Sequence, residues 1–94
     1  MKTKFNLNVN NSAIVAVEYI MQKPSGLVVV GKVLTGSVTK GDTVSIQANG
    51  KEPVADEISR IESYGNEIII AGVNKEIGIL LKNTSKEKLA QYFS

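Results

Sequence analysis

The feature that most constrains this chain is the run LVVVGKVLTGSVTKGDTVSI, residues 27–46, in which Gly31, Gly36 and Gly41 fall five residues apart. Two strand-like stretches, 27–35 and 43–46, are joined here by a segment with turn chemistry. A glycine inside an apolar, β-branched run marks a bulge, a bend or the close approach of a neighbouring backbone. Gly31 and Gly36 are therefore expected where a long strand coils, and Gly41-Asp42 as the turn into the next strand. A strand bent twice in so short a span suits a small closed barrel better than a flat sheet.

The residues on either side read as further strands. Residues 4–9 alternate, with Phe5, Leu7 and Val9 on one face, and predict a first edge strand or a loosely attached arm. Asn10-Asn11-Ser12 is a turn cluster. Residues 13–21, AIVAVEYIM, predict a strand buried along most of its length. Val15, Val17, Tyr19 and Met21 are expected to face inward and Glu18 to face water. Lys23-Pro24-Ser25-Gly26 supplies the next turn. In the strand at 27–35, Leu27, Val29, Gly31 and Val33 form one face, and Lys32 assigns Val28, Val30 and Leu34 to the outside. That leaves an apolar row on a face that should be wet. Either the N-terminal arm or the C-terminal tail covers it, or it is a partner surface.

Asn49-Gly50 is a two-residue hairpin signal. Residues 51–64 read as a strand, because Pro53 would interrupt a helix ladder. The helix-like spacing of Val54, Ile58 and Ile61 is reconciled with a strand by a bulge near residues 55–57. Gly65-Asn66 turns the chain, 67–71 is a short strand, 71–76 a loop, and 77–82 the closing strand. Ser85 can cap a last helical turn through Leu89, with Leu89, Tyr92 and Phe93 on one side. Many short strands with regular turn signals predict an all-β barrel in a single domain, 1–94. Its core is expected at 13–82, with an N-terminal arm at 1–12 and a C-terminal tail at 83–94.

Composition narrows the chemistry. At 43% hydrophobic and 21% charged residues, the 94-residue chain is globular. No apolar run approaches the roughly 18–20 residues of a membrane span. The start, MKTKFN, lacks the apolar core of a secretory signal, so a cytoplasmic protein without membrane contact is expected. There is no Cys and no His, which removes disulfides, thiol chemistry and the commonest general base and metal ligand. Asp42, Asp56, Glu57 and Glu62 stand without such partners, and Asp56 and Glu57, as strand neighbours, should point to opposite faces. No enzyme activity, metal or cofactor is expected. The net charge of +2 is too small to imply nucleic acid by itself.

Taken together, Gly26-x4-Gly31-Lys32-Val33-x2-Gly36-x4-Gly41-Asp42-x-Val44-x-Ile46 resembles the second domain of elongation factor Tu and related translational GTPases. Downstream, Ile61-Glu62 resembles that domain's strand end. Ala71-Gly72 and Ile77-Gly78-Ile79-Leu80-Leu81-Lys82 resemble its alanine-glycine loop and closing strand. The likeness spans about residues 13–82. It implies a small closed antiparallel β-barrel of six to seven strands, here standing alone. No G-x4-G-K-[S/T] occurs, and Gly31-Lys32 is followed by valine inside a strand, so no nucleotide is expected.

The resemblance also implies sites. In elongation factor Tu this barrel helps hold the aminoacyl end of transfer RNA. Glu62 matches a glutamate near that pocket, and Ile20 or Met21 lies near its phenylalanine. Tyr64 replaces a histidine and Glu76 an asparagine. Other relatives touch ribosomal RNA with this barrel, a role that needs cations. Lys32, Lys40, Arg60 and Lys82 are the leading candidates, with Lys51 and Lys75 beside them; Lys32 sits at a basic position of the family pattern. The expected function is a non-catalytic module contacting ribosomal or transfer RNA or a translation-related protein. The alternative is a protein-interaction or self-associating module, a homodimer for instance, that has lost the RNA role.

Overall fold

In the computed structural model, residues 5–46, 54–84 and 87 are described. They form strands β1 (Phe5–Val9), β2 (Ala13–Lys23), β3 (Gly26–Thr35), β4 (Val38–Thr39), β5 (Thr43–Ile46), β6 (Val54–Ser63), β7 (Asn66–Ile68), β8 (Ile70–Ala71) and β9 (Glu76–Leu81). Six of these close a ring of antiparallel pairs in the order β1-β2-β3-β9-β6-β5 and back to β1. β7 adds to β6 outside the ring, and β4 and β8 form a separate two-stranded ribbon. The expected all-β closed antiparallel barrel is what the chain forms.

The first correction concerns the start of the barrel. β1 is neither an edge strand nor an arm: it lies between β2 and β5, with Leu7 and Val9 fully buried. The ring therefore begins at Phe5, well before residue 13. A sheet edge left between β2 and β5 would expose a row of unpaired backbone groups, and β1 occupies both sides of that gap. At the other terminus the framework reaches past Lys82 to Thr84, which is buried.

The second correction concerns phase. Opposite β3, the register of β2 shifts between Val17 and Tyr19, which leaves Glu18 as an extra, exposed residue. A one-residue bulge sends every later side chain to the other face. Ile20, opposite Val29, therefore packs against the core, while Tyr19 and Met21 turn outward opposite Val30 and Val28. Gly31 sits beside this bulge, where a Cβ would lie 2.3 Å from the Ala16 carbonyl oxygen. This is the coiling point expected of it. Gly36 lies just beyond β3 with φ +71°, and a Cβ there would meet the Ser12 carbonyl oxygen at 2.9 Å.

Two further irregularities set the surface. A second shift, at Ile14/Val15, makes Leu34 the extra residue on β3. β6 carries the bulge its spacing predicted, but at Ser59, between Ile58 and Arg60, and not at residues 55–57. Val54, Ile58 and Ile61 thus all reach the core. The predicted strand 67–71 is split by a bend at Ile69 into β7 and β8, and β4 escaped the sequence reading altogether. The Asn49-Gly50 turn, the helical turn from Ser85 apart from Glu87, and Leu89, Tyr92 and Phe93 lie outside the described residues.

The interior is aliphatic: Leu7, Val15, Leu27, Val29, Val33, Ile46, Ile58, Ile61 and Ile79 are among its fully buried side chains. Each contributes about 1.5–3 kcal/mol relative to an exposed position. Val38 of β4 and Ala71 of β8 are buried against the same cluster, so the ribbon joins the core through one residue from each strand.

Candidate interaction surfaces

Asp56 is the one charged side chain buried among the described residues. Strand alternation puts it on the inner side of β6, with Glu57 exposed, as expected. Its carboxylate accepts bonds from the Glu57 N–H at 2.7 Å, the Asn83 N–H at 3.1 Å, Asn83 Nδ2 at 3.2 Å, the Thr84 N–H at 2.7 Å, and the Thr84 hydroxyl. Burial by itself would raise this carboxyl's pKa. The Thr84 hydroxyl and the backbone N–H groups of Glu57, Asn83 and Thr84 outweigh that and hold it below the ordinary value of 3.8. The clasp ties the chain after β9 to the start of β6. With every bond made inside the chain, it offers structural closure and no reacting group. Sequence reading missed this role, although Asn83-Thr84 directly after a closing strand is a donor-rich signal.

Of the four leading cations, two are engaged with carboxylates. Arg60 Nη2 lies 3.2 Å from Glu62 and its Nε 3.6 Å from Glu67, whose other oxygen is 3.6 Å from Lys40 Nζ. Lys23 approaches Glu62 at 3.9 Å. The chain Lys23-Glu62-Arg60-Glu67-Lys40 is a partly exposed ion-pair network in which two carboxylates are shared among three cations. The other two cations are separated. Lys32 lies across from Glu76 in the β3–β9 register, at the start of β9, and Lys82 follows the end of that strand. About six residues of strand, roughly 20 Å, lie between them. The fold does not gather Lys32, Lys40, Arg60 and Lys82 into one patch.

The aminoacyl-type positions, by contrast, lie toward one end of the barrel: Glu62 is two residues from Tyr64 and sits opposite Gly78, two residues from Glu76 on β9. Glu62 is held by Arg60 and Lys23. Tyr64, at φ +50°, forms the β6–β7 turn with Gly65 and is 83% exposed. Glu76 is exposed, and its carbonyl accepts the Ser63 hydroxyl at 3.2 Å, so Tyr64 and Glu76 share one end of the barrel. The expected outer row on β3 is broken. Leu34 is exposed and Val30 half-buried, but Val28 is buried, outside the main core. Its neighbour across β9 is Leu80, and it leans over Gly78, where a Cβ would sit 3.0 Å from Val28 Cγ1. The missing side chain at Gly78 leaves room for Val28 to lie close against the β9 backbone, which alternation alone does not reveal.

A different apolar surface replaces that row. Among the described residues, the exposed large hydrophobic side chains are Tyr19, Leu34, Tyr64, Ile69, Ile70 and Val73. Four lie within residues 64–73, with Ile69 and Ile70 at 70% and 60% exposure and Val73 at 54%. Leu34 joins them, since the Asn74 N–H bonds the carbonyl of adjacent Val33 at 2.8 Å. The cause is visible in the run Ile68-Ile69-Ile70. Ile68 packs on the core and Ala71 is buried, so the bend at Ile69 leaves two isoleucines between them in water. Three consecutive isoleucines in a short strand were the signal available in the sequence.

A shallow groove of about 270 Å³ beside the β1–β2 turn is lined by Asn8, Asn11, Ser12, Ala13, Ile14 and Ser45, and carries no charged side chain. Among the described residues, no three His, Cys, Asp or Glu side chains gather to hold a metal ion, and no helix is long and apolar enough to cross a membrane. In comparison with known proteins, no family model matches the chain, and no curated protein matches it either.

Proposed function

We propose that this chain is a non-catalytic protein-interaction module of the cytoplasm, built on a barrel like the second domain of translational GTPases, and that it docks through the rim at residues 64–73. The observation that carries this reading is the concentration there of Tyr64, Ile69, Ile70 and Val73, with Leu34 beside them. Exposed apolar side chains scattered singly are ordinary; four within ten residues of chain on a rigid scaffold are a place where partners bind. The RNA reading draws less support, because Lys40 and Arg60 already face Glu62 and Glu67 and the remaining cations are dispersed.

The test places a photo-cross-linking residue at Ile70 and, as control, at Glu18 on the β2 bulge, in cells making the full chain. Discrete adducts from position 70 and none from position 18 are expected. Absence of adducts from position 70 removes the reading. A parallel titration with single-stranded and structured RNA checks the alternative. Binding that falls steeply with salt, and flattens on charge reversal at Lys32 and Lys82, would favour RNA.

A further inference from the structure

We infer that the outer face of β2, β3 and β9 is a docking site for the chain's own C-terminal segment, residues 85–94. The inference is independent of the rim at 64–73. Strand register brings the face together. Met21, Val28 and Leu80 stand side by side across the three strands, and Tyr19, Val30 and Gly78 form the next row. The outer wall on the far side of the ring is different: the row across β1, β5 and β6 is Asn8, Ser45 and Ala55. A sheet face turned to water keeps polar residues, whereas an apolar one packs against another element. Val28 is only 3% exposed on this outer face. Side chains on neighbouring strands stand roughly perpendicular to the sheet, so they shield one another's flanks and not their tips. A layer over the face accounts for a valine so enclosed.

Two observations select the occupant. The first is the tether. Asp56 holds Thr84 through its N–H and hydroxyl, four residues beyond Leu80. The segment therefore starts within about 14 Å of the face. Residues 85–94 reach about 15 Å as a helix and over about 30 Å extended, against roughly 10 Å across three strands. The second is composition. Residues 1–4, 47–53 and 85–94, apart from Glu87, lie outside the described residues. The first two stretches, MKTK and QANGKEP, supply little apolar area, while SKEKLAQYFS supplies Leu89, Tyr92 and Phe93. These three follow the spacing of one helical face, and Glu87 is helical.

A photo-reactive phenylalanine analogue at position 92 of the full chain, irradiated in dilute solution, reads the contact. Proteolytic mapping should place the adduct within residues 19–30 or 78–82 of the same chain. An adduct anywhere else in the chain, one of twice the chain's mass, or none overturns the inference. Methyl NMR of the full chain supplies a second reading. The double variant Leu89→Asp, Phe93→Asp should shift the methyl signals of Met21, Val28 and Leu80. Those of Val9, Val44 and Ile46, inside the polar part of the wall, should stay in place. Signals of Met21, Val28 and Leu80 that do not move overturn the inference, since Met21 and Leu80 would then enclose Val28 by themselves. A change spread equally over both sets overturns it as well, because the segment would then support the barrel as a whole and not this face.

Discussion

Around Asp56 and along residues 64–73 the chain treats exposed and buried groups in opposite ways. At Asp56, five donors converge on one carboxylate, and the polar group that ought to be in water is enclosed. Along 64–73, Ile69 and Ile70 ought to be enclosed and are in water. Both choices oppose the hydrophobic effect locally, yet they differ in what surrounds them. The Asp56 bonds are all made within the chain, so the clasp is complete in the monomer. The rim has no such completion among the described residues. The difference teaches where each region's contribution resides: the wall and clasp in stability, and the rim, under the function proposed above, in association. Substitutions in the first should unfold the barrel, and substitutions in the second should leave it folded.

The largest effect is expected at Gly31 in the wall. A Cβ there meets a backbone carbonyl oxygen at 2.3 Å, which no rotamer change relieves. Gly31→Val raises β-propensity but should cost about 3 kcal/mol or more through overpacking. Chemical denaturation of the variant checks this. A midpoint equal to the wild type's would mean that the β2 bulge can shift, and that the wall is softer than the comparison assumes.

Next in size is Asp56. Asp56→Asn keeps one acceptor but turns an amide N–H₂ toward the remaining donors, and should cost about 2–4 kcal/mol near neutral pH. The sign with pH follows from the lowered pKa. The folded carboxyl binds its proton more weakly than the unfolded one, so the clasp's ionic contribution is fully present above the ordinary value of 3.8. It is lost as pH falls through the lower folded value. The stability gap between wild type and Asp56→Asn should therefore narrow below about pH 4. A gap constant from pH 7 to pH 3 would show that the carboxylate's charge plays no part.

These two positions also mark how far the sequence could be read. Gly31 was legible because a glycine among valines has few other reasons to be there. The closed barrel followed from such punctuation. Asp56 was legible only as a carboxylate on a strand, since its donors come from residues 83 and 84, and such a distant pairing leaves no local pattern. Tyr19, Met21 and Ile20 were assigned to the wrong faces because period-2 reading has no means of locating the bulge at Glu18. Val28 was placed outside, correctly, but the room for it to be buried there comes from a glycine on β9 that is fifty residues away. The exposed isoleucines fell inside a predicted strand, and the bend at Ile69 depends on where Lys40 bonds the Ile69 carbonyl.

A smaller effect is expected in the ion-pair network, which lies between wall and rim. Glu67 bridges Arg60 and Lys40 at 3.6 Å each, and these side chains are nearly half exposed. Pairs of this kind are worth about 0–1 kcal/mol. Glu67→Gln should lower stability by under about 1 kcal/mol at low salt, with the difference fading near 1 M salt. A loss that persists at high salt would place Glu67 with the clasp as part of the wall.

The smallest effect on stability is expected at the rim itself, and it is the sharpest form of the comparison. Ile70 pairs with Thr39 across the β4–β8 ribbon, but the ribbon's anchors are its neighbours, Ala71 and Val38, both buried. At 60% exposure, Ile70 has little burial to lose. Ile70→Ser removes a β-branched hydrocarbon from a strand, which costs a few tenths of a kcal/mol in propensity at most, so stability should change by less than about 0.5 kcal/mol. Its precipitation by ammonium sulfate should move to higher salt, because less apolar surface remains to be withdrawn from water. Both readings come from one preparation, a denaturant melt and a salting-out curve. An unchanged melt with a shifted salting-out point keeps rim and wall separate. A loss above about 1 kcal/mol would mean that Ile70 supports the ribbon. The exposed isoleucines would then belong to the architecture, and the surface assigned to a partner would be reduced to Leu34, Tyr64, Ile69 and Val73.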